Sequence, residues 1–380
     1  MGMMKVDVVK LLLGLRLQQL VGSREKQLRF RPEQRSNQID WMITGPRKPA
    51  IYSKLEAMAS ESLRVEFYAI KHKWYMPLSY FEYIKAFKRL VDKGNDLIYV
   101  DKAPQFLNYY AAIRTLPVER TIFATHNVKT PKGAHFEKKA RYYMSKLLNK
   151  YCNFQVFSRN QLEYLENMVQ GKNVLYAPLA LKDYGKKGER TKHHGIVNFL
   201  SFGHIRHYKR IDILIDAAQK LYEETGKLFV VTIAGRCPNW AEYSKRIKYP
   251  QLFDLHVGYI DDSKVADLFA NANYLVLPYQ DLAQSGAITV AFNYGVPVIT
   301  SDIPQFQEFV EEGVNGFLFQ SESVECLKNV MLNTLVMSQD AYNKLLKSTE
   351  KYVSNNYSLK AITDRYETYF NQLLLKNHIK

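Results

Sequence analysis

The 380-residue chain holds three cysteines, Cys152, Cys237 and Cys326, far apart and without a Cys-x-x-Cys spacing. So odd and scattered a set excludes a disulfide framework and a cysteine-built zinc site, and it fits a reducing compartment such as the cytoplasm. No run of about 18 apolar residues occurs, so no membrane-spanning helix is expected. The opening stretch "MGMMKVDVVKLLLGLRLQQL" is interrupted by Asp7, Lys10 and Arg16, and no small-residue cleavage site follows it. It does not read as a secretory signal. Val6 stands where N-myristoylation requires Ser or Thr. Neither GxGxxG nor GxxxxGK followed by Ser or Thr is present, which excludes the glycine-rich phosphate loops of dinucleotide enzymes and P-loop proteins. There is no Asp-x-Asp pair and no HExxH, so a divalent metal has no evident ligands; His193-His194 sits in a polar stretch and reads as solvent-exposed.

What is abundant is positive charge, and it is unevenly spread. The net charge is +16. Residues 1–180 contain 30 Lys and Arg against 15 Asp and Glu, while residues 181–380 contain 23 against 22. A basic first half suits an anionic partner: a phosphate-bearing acceptor, an acidic membrane surface or a nucleic acid. Nucleic acid is the weakest of these, because no aromatic-basic binding motif accompanies the charge. A solvated basic surface that only aids solubility is the plain alternative. The segment "KHKWYMPL", residues 71–78, mixes basic and aromatic residues in a manner suited to a membrane interface, or equally to a loop packed within the domain.

From residue 197 onward, short β-rich runs ("IVNFLSF", "LFVVTIAG", "LHVGYI", "NYLVLPY", "VPVITS") alternate with helical segments beginning near 208, 240, 262, 285 and 304. That alternation predicts βαβ units and a parallel sheet covered on both faces. The first half repeats it less clearly. Its strands are "IDWMI", "VEFYAI", "LIYVD", "TIFATH", "FQVFS" and "VLYAP", with helices near 51–63, 81–92, 104–115, 132–151 and 159–168. Residues 181–195, "LKDYGKKGERTKHHG", are polar and aperiodic and read as a linker between two Rossmann-like domains. The expected organisation is a leader at 1–38, a first domain at 39–180, the linker, a second domain at 196–355, and a closing helix at 356–380.

In open α/β sheets, ligands bind beyond the carboxyl ends of the strands. Gly203 ends the first strand of the second half, and the basic loop His204, Arg206, His207, Lys209 and Arg210 follows. Gly235 and Arg236 follow the next strand, and Gly258 and Tyr259 the third. After the fourth comes "PYQDLAQSGA", a polar turn into a helix beginning at Ser285, Gly286 and Ala287. Free N–H groups at that helix start favour an anion, and Gly286 permits close approach. Arg206 offers a bidentate fork and Lys209 a point charge, so together with the helix start they are candidates to clamp a diphosphate.

The stretches "FGHIRHYKRIDILIDA", "TIAG", "VGYIDDSKVADLFANANYLVLPY", "SGAITVAFNYGVPVITSD" and "QEFVEEGVNGFLF" resemble, in order and spacing, the successive motifs of GT-B glycosyltransferases of family 4. The match is good over about 195–335 and weaker in the first half, at "TIFATHNV", "FSRNQ" and "VLYAPL". The closing "YSLKAITDRYETYFNQLL" is similar to the family's last helix, which crosses back onto the first domain. The resemblance implies an α/β fold with two Rossmann-like domains facing each other across a cleft. It implies a retaining transferase that needs no metal and no cofactor. The donor, a UDP- or GDP-sugar, would bind the second domain; a glycan or lipid-linked anionic acceptor would bind the first, at the cytoplasmic face of a membrane and in cell-surface polysaccharide synthesis.

Residue by residue, Lys209 matches the family's phosphate-binding lysine. The usual arginine falls at His204, and Arg206 looks like its displaced substitute. His126, in "THN", matches an acceptor-side histidine near the donor sugar. The backbone around Gly258, Tyr259 and Ile260 corresponds to the nucleobase position, and Glu308 to a recurring glutamate near the nucleotide. Gly203, Gly235, Arg236, Gln284, Ser285, Gly286 and Ala287 complete the donor-side set. Family members carry two glutamates eight residues apart, and these positions are Leu282 and Val290 here. Asp281 is the nearest carboxylate to the sugar. This departure favours one alternative, a non-catalytic nucleotide-sugar-binding or scaffold subunit; a second alternative is a nucleotide-sugar epimerase of the same two-domain architecture.

Overall fold

The computed structural model describes residues 39–378, apart from 50–51, 58, 61–62, 102–105, 126–127, 129–136, 187–194 and 283–284. The 1–38 leader, His193-His194, His126 and Gln284 therefore lie outside the described residues. The chain divides into two compact units, one comprising 39–178 and 359–378, the other 179–358.

In the first unit, β1 (Ile39–Gly45) and β2 (Leu63–Ala69) flank the short α1 (Tyr52–Glu56) and pair in parallel, Ile39 opposite Leu63 through Gly45 opposite Ala69. They form a two-stranded sheet of their own. After α2 (Pro77–Asp92) come β3 (Ile98–Val100), α3 (Leu107–Ile113), β4 (Thr121–Thr125), α4 (Glu137–Lys150), β5 (Asn153–Val156), α5 (Arg159–Met168) and β6 (Asn173–Tyr176). These four strands form a parallel sheet in the order β3-β4-β5-β6. Every residue of β4 and β5 is buried, as expected of central strands covered on both faces. The core gathers Phe123, Leu147, Leu148, Tyr151 and Phe154 from β4, α4, β5 and their junctions.

The second unit is the more regular. It runs β7 (Asn198–Phe202), a 3₁₀ turn (His207–Lys209), α6 (Ile211–Thr225), β8 (Val230–Gly235), α7 (Trp240–Ser244), β9 (Phe253–Val257), α8 (Asp262–Ala270) and β10 (Tyr274–Leu277). It continues with α9 (Gly286–Asn293), β11 (Val298–Ser301), α10 (Pro304–Gln307), β12 (Gly316–Phe319), α11 (Val324–Leu335) and α12 (Gln339–Tyr357). All six strands are parallel, in the order β12-β11-β10-β7-β8-β9. Helix α6 follows directly from its sequence: Ile211, Leu214, Ile215, Ala218 and Leu221 are buried on one face. Gly226, at φ 63°, ends it in the left-handed conformation that glycine adopts without steric cost. Ser or Asp side chains cap α8, α9, α11 and α12, each cap worth about 1 kcal/mol.

Several local expectations are revised. The helix expected over 51–63 is confined to Tyr52–Glu56, and those near 240 and 304 are single turns. The helix near 208 begins only at Ile211, after the 3₁₀ turn. Strand β12 and helices α11 and α12 were not anticipated by the alternation. The stretch 181–195 does not start as a free linker: Leu181 and Tyr184 pack on the core of the second unit, and the Tyr184 N–H donates to Tyr294 Oη at 2.9 Å. Apolar side chains at its start give it a surface to bury. The closing helix, α13 (Leu359–His378), belongs to the first unit. It buries Ile362, Tyr366, Phe370 and Leu373, and the Tyr369 hydroxyl reaches the carbonyls of Phe154 (3.2 Å) and Asn173 (2.9 Å).

Candidate functional site

The strand order of the second unit reverses direction between β7 and β10. Strands 8 and 9 extend to one side of β7, while 10, 11 and 12 extend to the other. Loops leaving the carboxyl ends of two such neighbours diverge and open a crevice, the usual ligand position in a doubly wound sheet. Here the loops are residues 203–210 after β7 and 278–285 after β10. They are tied together where the Gln280 N–H donates to the Tyr208 carbonyl at 2.9 Å, Arg210 Nη1 donates to Gln280 Oε1 at 3.4 Å, and the Tyr208 ring meets Tyr279 edge-on at 5.9 Å.

The β7 loop is built on glycine. Gly203 has φ 104°, and a Cβ on Gly235 would lie 2.1 Å from the Gly203 carbonyl oxygen. The two strand ends are thus packed backbone to backbone, with the Gly203 N–H on Ala234 O (2.9 Å) and the Ile205 N–H on Arg236 O (2.9 Å). Beyond them the Gly258 N–H donates to Gly235 O at 3.1 Å, and the space over Gly258 is open. Tyr259 points outward, 74% exposed, while Ile260 packs on the core. At this strand end the backbone is accessible and the tyrosine side chain does not cover it.

Lys209 folds back over this turn. Its Nζ lies 3.4 Å from where a Cβ on Gly203 would stand and 5.0 Å from the centre of the buried Tyr279 ring. Burial lowers its pKa from 10.5 to about 8. Arg206 and Arg236 are exposed beside it. The pKa of His204 is lowered too, first by burial and then by the nearby charges of Arg206, Lys209 and Arg236. Arg210 behaves differently. It adopts φ 47°, pairs with Asp212 at 3.0 Å and with Glu322, and is spent on holding α6. Among the described residues no carboxylate lies within ion-pair distance of Arg206, Lys209 or Arg236. Two neighbouring strand ends, those of β7 and β8, thus carry three cations with no counter-ion among the described residues.

Across the crevice, the Ser285 hydroxyl caps α9 by accepting from the Ile288 N–H at 3.4 Å. That leaves the N–H groups of Gly286 and Ala287 without an intrahelical acceptor. Lys182 lies over the same helix start, its Nζ 2.9 Å from the Cβ position of Gly286. Burial lowers its pKa. An ammonium at a helix N-terminus opposes the helix dipole, so both point toward an anion. Sequence reasoning missed Lys182, which sits far from α9 along the chain; nothing local signals its return to that helix.

The remaining candidates fall around the crevice. Asp281 accepts from Gln305 Nε2 at 3.2 Å. Glu308 follows α10 with its Oε1 buried. Leu282 and Val290, which the resemblance equates with the two family glutamates, are 6% and 1% exposed and belong to the core. Among the described residues, no group of three His, Cys, Asp or Glu side chains could hold a metal ion.

Solved structures similar to the chain include a glycosyltransferase from Rickettsia africae, at 14% identity and TM-score 0.67, covering 88% of this chain and 90% of that one. HepE from Anabaena, in complex with UDP-glucose, matches at 15% identity and TM-score 0.64, covering 88% and 99%. TarM from S. aureus, solved with UDP among its ligands, matches at 17% identity and TM-score 0.59, covering 77% and 59%. The chain thus spans less than two thirds of the TarM chains. The fold is that of the GT-B glycosyltransferases. Within it, residues 197–336, the greater part of the second unit, match the family described as Glycosyl transferases group 1. No curated protein matches the chain.

Proposed function

We propose that the chain is a retaining glycosyltransferase that moves a sugar from a nucleoside diphosphate to a glycan or lipid-linked anionic acceptor. The observation that carries this reading is Lys209. A half-buried ammonium with no carboxylate partner among the described residues stands at the switch point between β7 and β10, where a doubly wound sheet binds its ligand. A diphosphate is the natural counter-ion. Uridine is the first base to test, because HepE and TarM were solved with UDP or UDP-glucose.

In the reaction, the bond between the anomeric carbon and the β-phosphate oxygen breaks, and the acceptor oxygen bonds to the same face of that carbon. Negative charge grows on the departing phosphate. Lys209, Arg206 and the N–H groups of Gly286 and Ala287 are assigned to stabilise it, and the acceptor proton passes to that phosphate. Losing one such preorganised donor costs about 2.7–4 kcal/mol, or 10²–10³ in rate. The acceptor, and with it His126, is assigned to the first unit, where the excess positive charge resides. No helix among the described residues is long and apolar enough to cross a membrane, and we assign the protein to the cytoplasmic face of one.

The test is a thermal-shift panel of UDP-, GDP-, ADP- and dTDP-sugars, run on the wild type and Lys209→Ala, with and without chelator. Stabilisation by one nucleotide class, lost in the variant and indifferent to chelator, is the expected result. No stabilisation by any nucleotide removes the donor-site reading. The second reading, a non-catalytic nucleotide-sugar-binding subunit, is favoured by the burial of Leu282 and Val290 in the core. Binding without turnover on crude glycolipid acceptors would select it.

A further inference from the structure

The first unit presents a surface that donor binding does not use. Residues 73–78, Lys-Trp-Tyr-Met-Pro-Leu, are exposed one after another. Tyr75 is 59% exposed, and Phe81 and Leu107 reach 63% and 62%. Such side chains in a mobile loop would fold back onto the protein. Here the turn is held rigid. Asn108 Nδ2 donates to the carbonyls of Trp74 (3.0 Å) and Met76 (2.8 Å), and the Ser79 hydroxyl donates to Met76 O (2.8 Å). The Trp74 ring also stacks on Phe106 at 4.6 Å. The apolar tips are therefore fixed outward.

The pattern continues along α2. Leu78, Phe81, Lys85 and Lys88 fall within about 80° of the helix circumference, and all four are exposed. The stripe is apolar at the turn and basic beyond it. Lys71, Lys73, Lys85 and Lys88 have no carboxylate within ion-pair distance among the described residues, and Glu82 is taken by His72 at 2.9 Å. Lysine is depleted in the cores of protein–protein interfaces. Aromatic residues flanked by lysine are instead the signature of a bilayer boundary with anionic headgroups.

We infer that this face docks on an anionic lipid bilayer. Trp74, Tyr75, Met76, Leu78 and Phe81 enter the boundary between headgroups and acyl chains, while the four lysines meet lipid phosphates. Under the proposed function, this surface brings the first unit to a membrane-borne acceptor, and it is tested apart from the donor site.

Trp74 is one of three tryptophans, so Trp41→Phe with Trp240→Phe makes it the sole emitter in the full chain. Vesicles of phosphatidylcholine mixed with phosphatidylglycerol should shift its emission to the blue, and brominated acyl chains should quench it. Phosphatidylcholine alone should do neither, and added salt should weaken the effect. Lys85→Glu and Lys88→Glu should each lower partitioning at least about fivefold. Leu78→Ser with Phe81→Ser should abolish quenching at an unchanged melting temperature, which shows that the fold survives. Unchanged emission with anionic vesicles overturns the inference, as does quenching that neither the charge reversals nor the serine pair reduces. Failure of the nucleotide panel leaves this result standing, and failure here leaves the panel standing.

Discussion

Replacing Lys209 with methionine should stabilise the unliganded protein while abolishing its response to nucleotide. Most single substitutions destabilise, so the sign is informative. A fall in pKa from 10.5 to about 8 corresponds to about 3 kcal/mol against the charged form within the fold. At pH 7 the group is still protonated in both states, so the full penalty is present. Methionine keeps the length, removes the charge and retains a favourable contact with the Tyr279 ring. The cation–π interaction at 5.0 Å is lost and returns up to about 2 kcal/mol. The net expectation is a gain of about 1–3 kcal/mol, or about 2–4 °C per kcal/mol for a unit of this size. Because the folded pKa lies below the unfolded one, wild-type stability rises relative to Lys209→Met as pH climbs from about 8 to 10.5, and the gap closes. Thermal unfolding of both proteins from pH 7 to 10.5, with and without UDP, measures all three quantities. A variant less stable than wild type at pH 7, or one still stabilised by UDP, refutes the assignment of Lys209 as an anion-seeking buried charge.

Three further outcomes follow from the same geometry. Binding of a diphosphate restores the charged form of Lys209, so at pH 8.5 to 9.5 UDP binding should take up as much as about one proton; calorimetry in buffers of different ionisation enthalpy reads the number, and affinity should fall as pH rises through about 8. Gly235→Ala places a Cβ 2.1 Å from the Gly203 carbonyl and should destabilise by about 2–3 kcal/mol in chemical denaturation, whereas Gly258→Ala, with open space above it, should cost only about 1 kcal/mol from its backbone conformation. Tyr369→Phe removes the hydroxyl that reaches the Phe154 and Asn173 carbonyls and should cost about 1 kcal/mol in the first unit, seen as an earlier denaturant midpoint with unchanged nucleotide response.

The central strands were legible because they are buried on both faces. "NFLSF", "YLVL" and "VITS" read as continuous apolar or β-branched runs, a pattern that helices of this length do not give. Helix α12 was not legible for the opposite reason. Its buried positions are Leu345, Thr349, Val353 and Tyr357, a stripe four residues apart that includes a threonine and is diluted by lysine and asparagine. At the site, the glycines and the Ser285 cap were readable from local chemistry. Arg210 reads in the sequence as one more basic residue of the loop; its pairing with Asp212 lies within reach of local reading, but the second partner, Glu322, is more than a hundred residues away. Lys182 is the same problem reversed. Its position depends on residues 179–186 running along α9, where the Lys182 N–H meets Thr289 O at 3.4 Å, and no sequence period encodes that contact.

The two ends of the crevice are built on different principles, and this bears on the missing glutamates. Under the proposed function the β7 end is the phosphate end: among the described residues Arg206 and Lys209 have no carboxylate within ion-pair distance, so they would be preorganised for charge that grows as the donor bond breaks. Interactions that strengthen only in the transition state raise turnover. At the end that the same reading assigns to the sugar, Leu282 and Val290 are buried in the core. Val290, 1% exposed, belongs to an apolar cluster with Ala287, Ile288 and Ala291, so a carboxylate there would carry the cost of burying a charge and the apolar residue is part of the packing. Under the proposed function, leaving-group stabilisation survives without the glutamate pair, and what weakens is recognition of sugar hydroxyls. A site that does not hydrogen-bond a hydroxyl discriminates poorly between substrates that differ only there. The donor is then selected chiefly by base and diphosphate, with Asp281, oriented by Gln305, as the nearest remaining acid able to read the sugar.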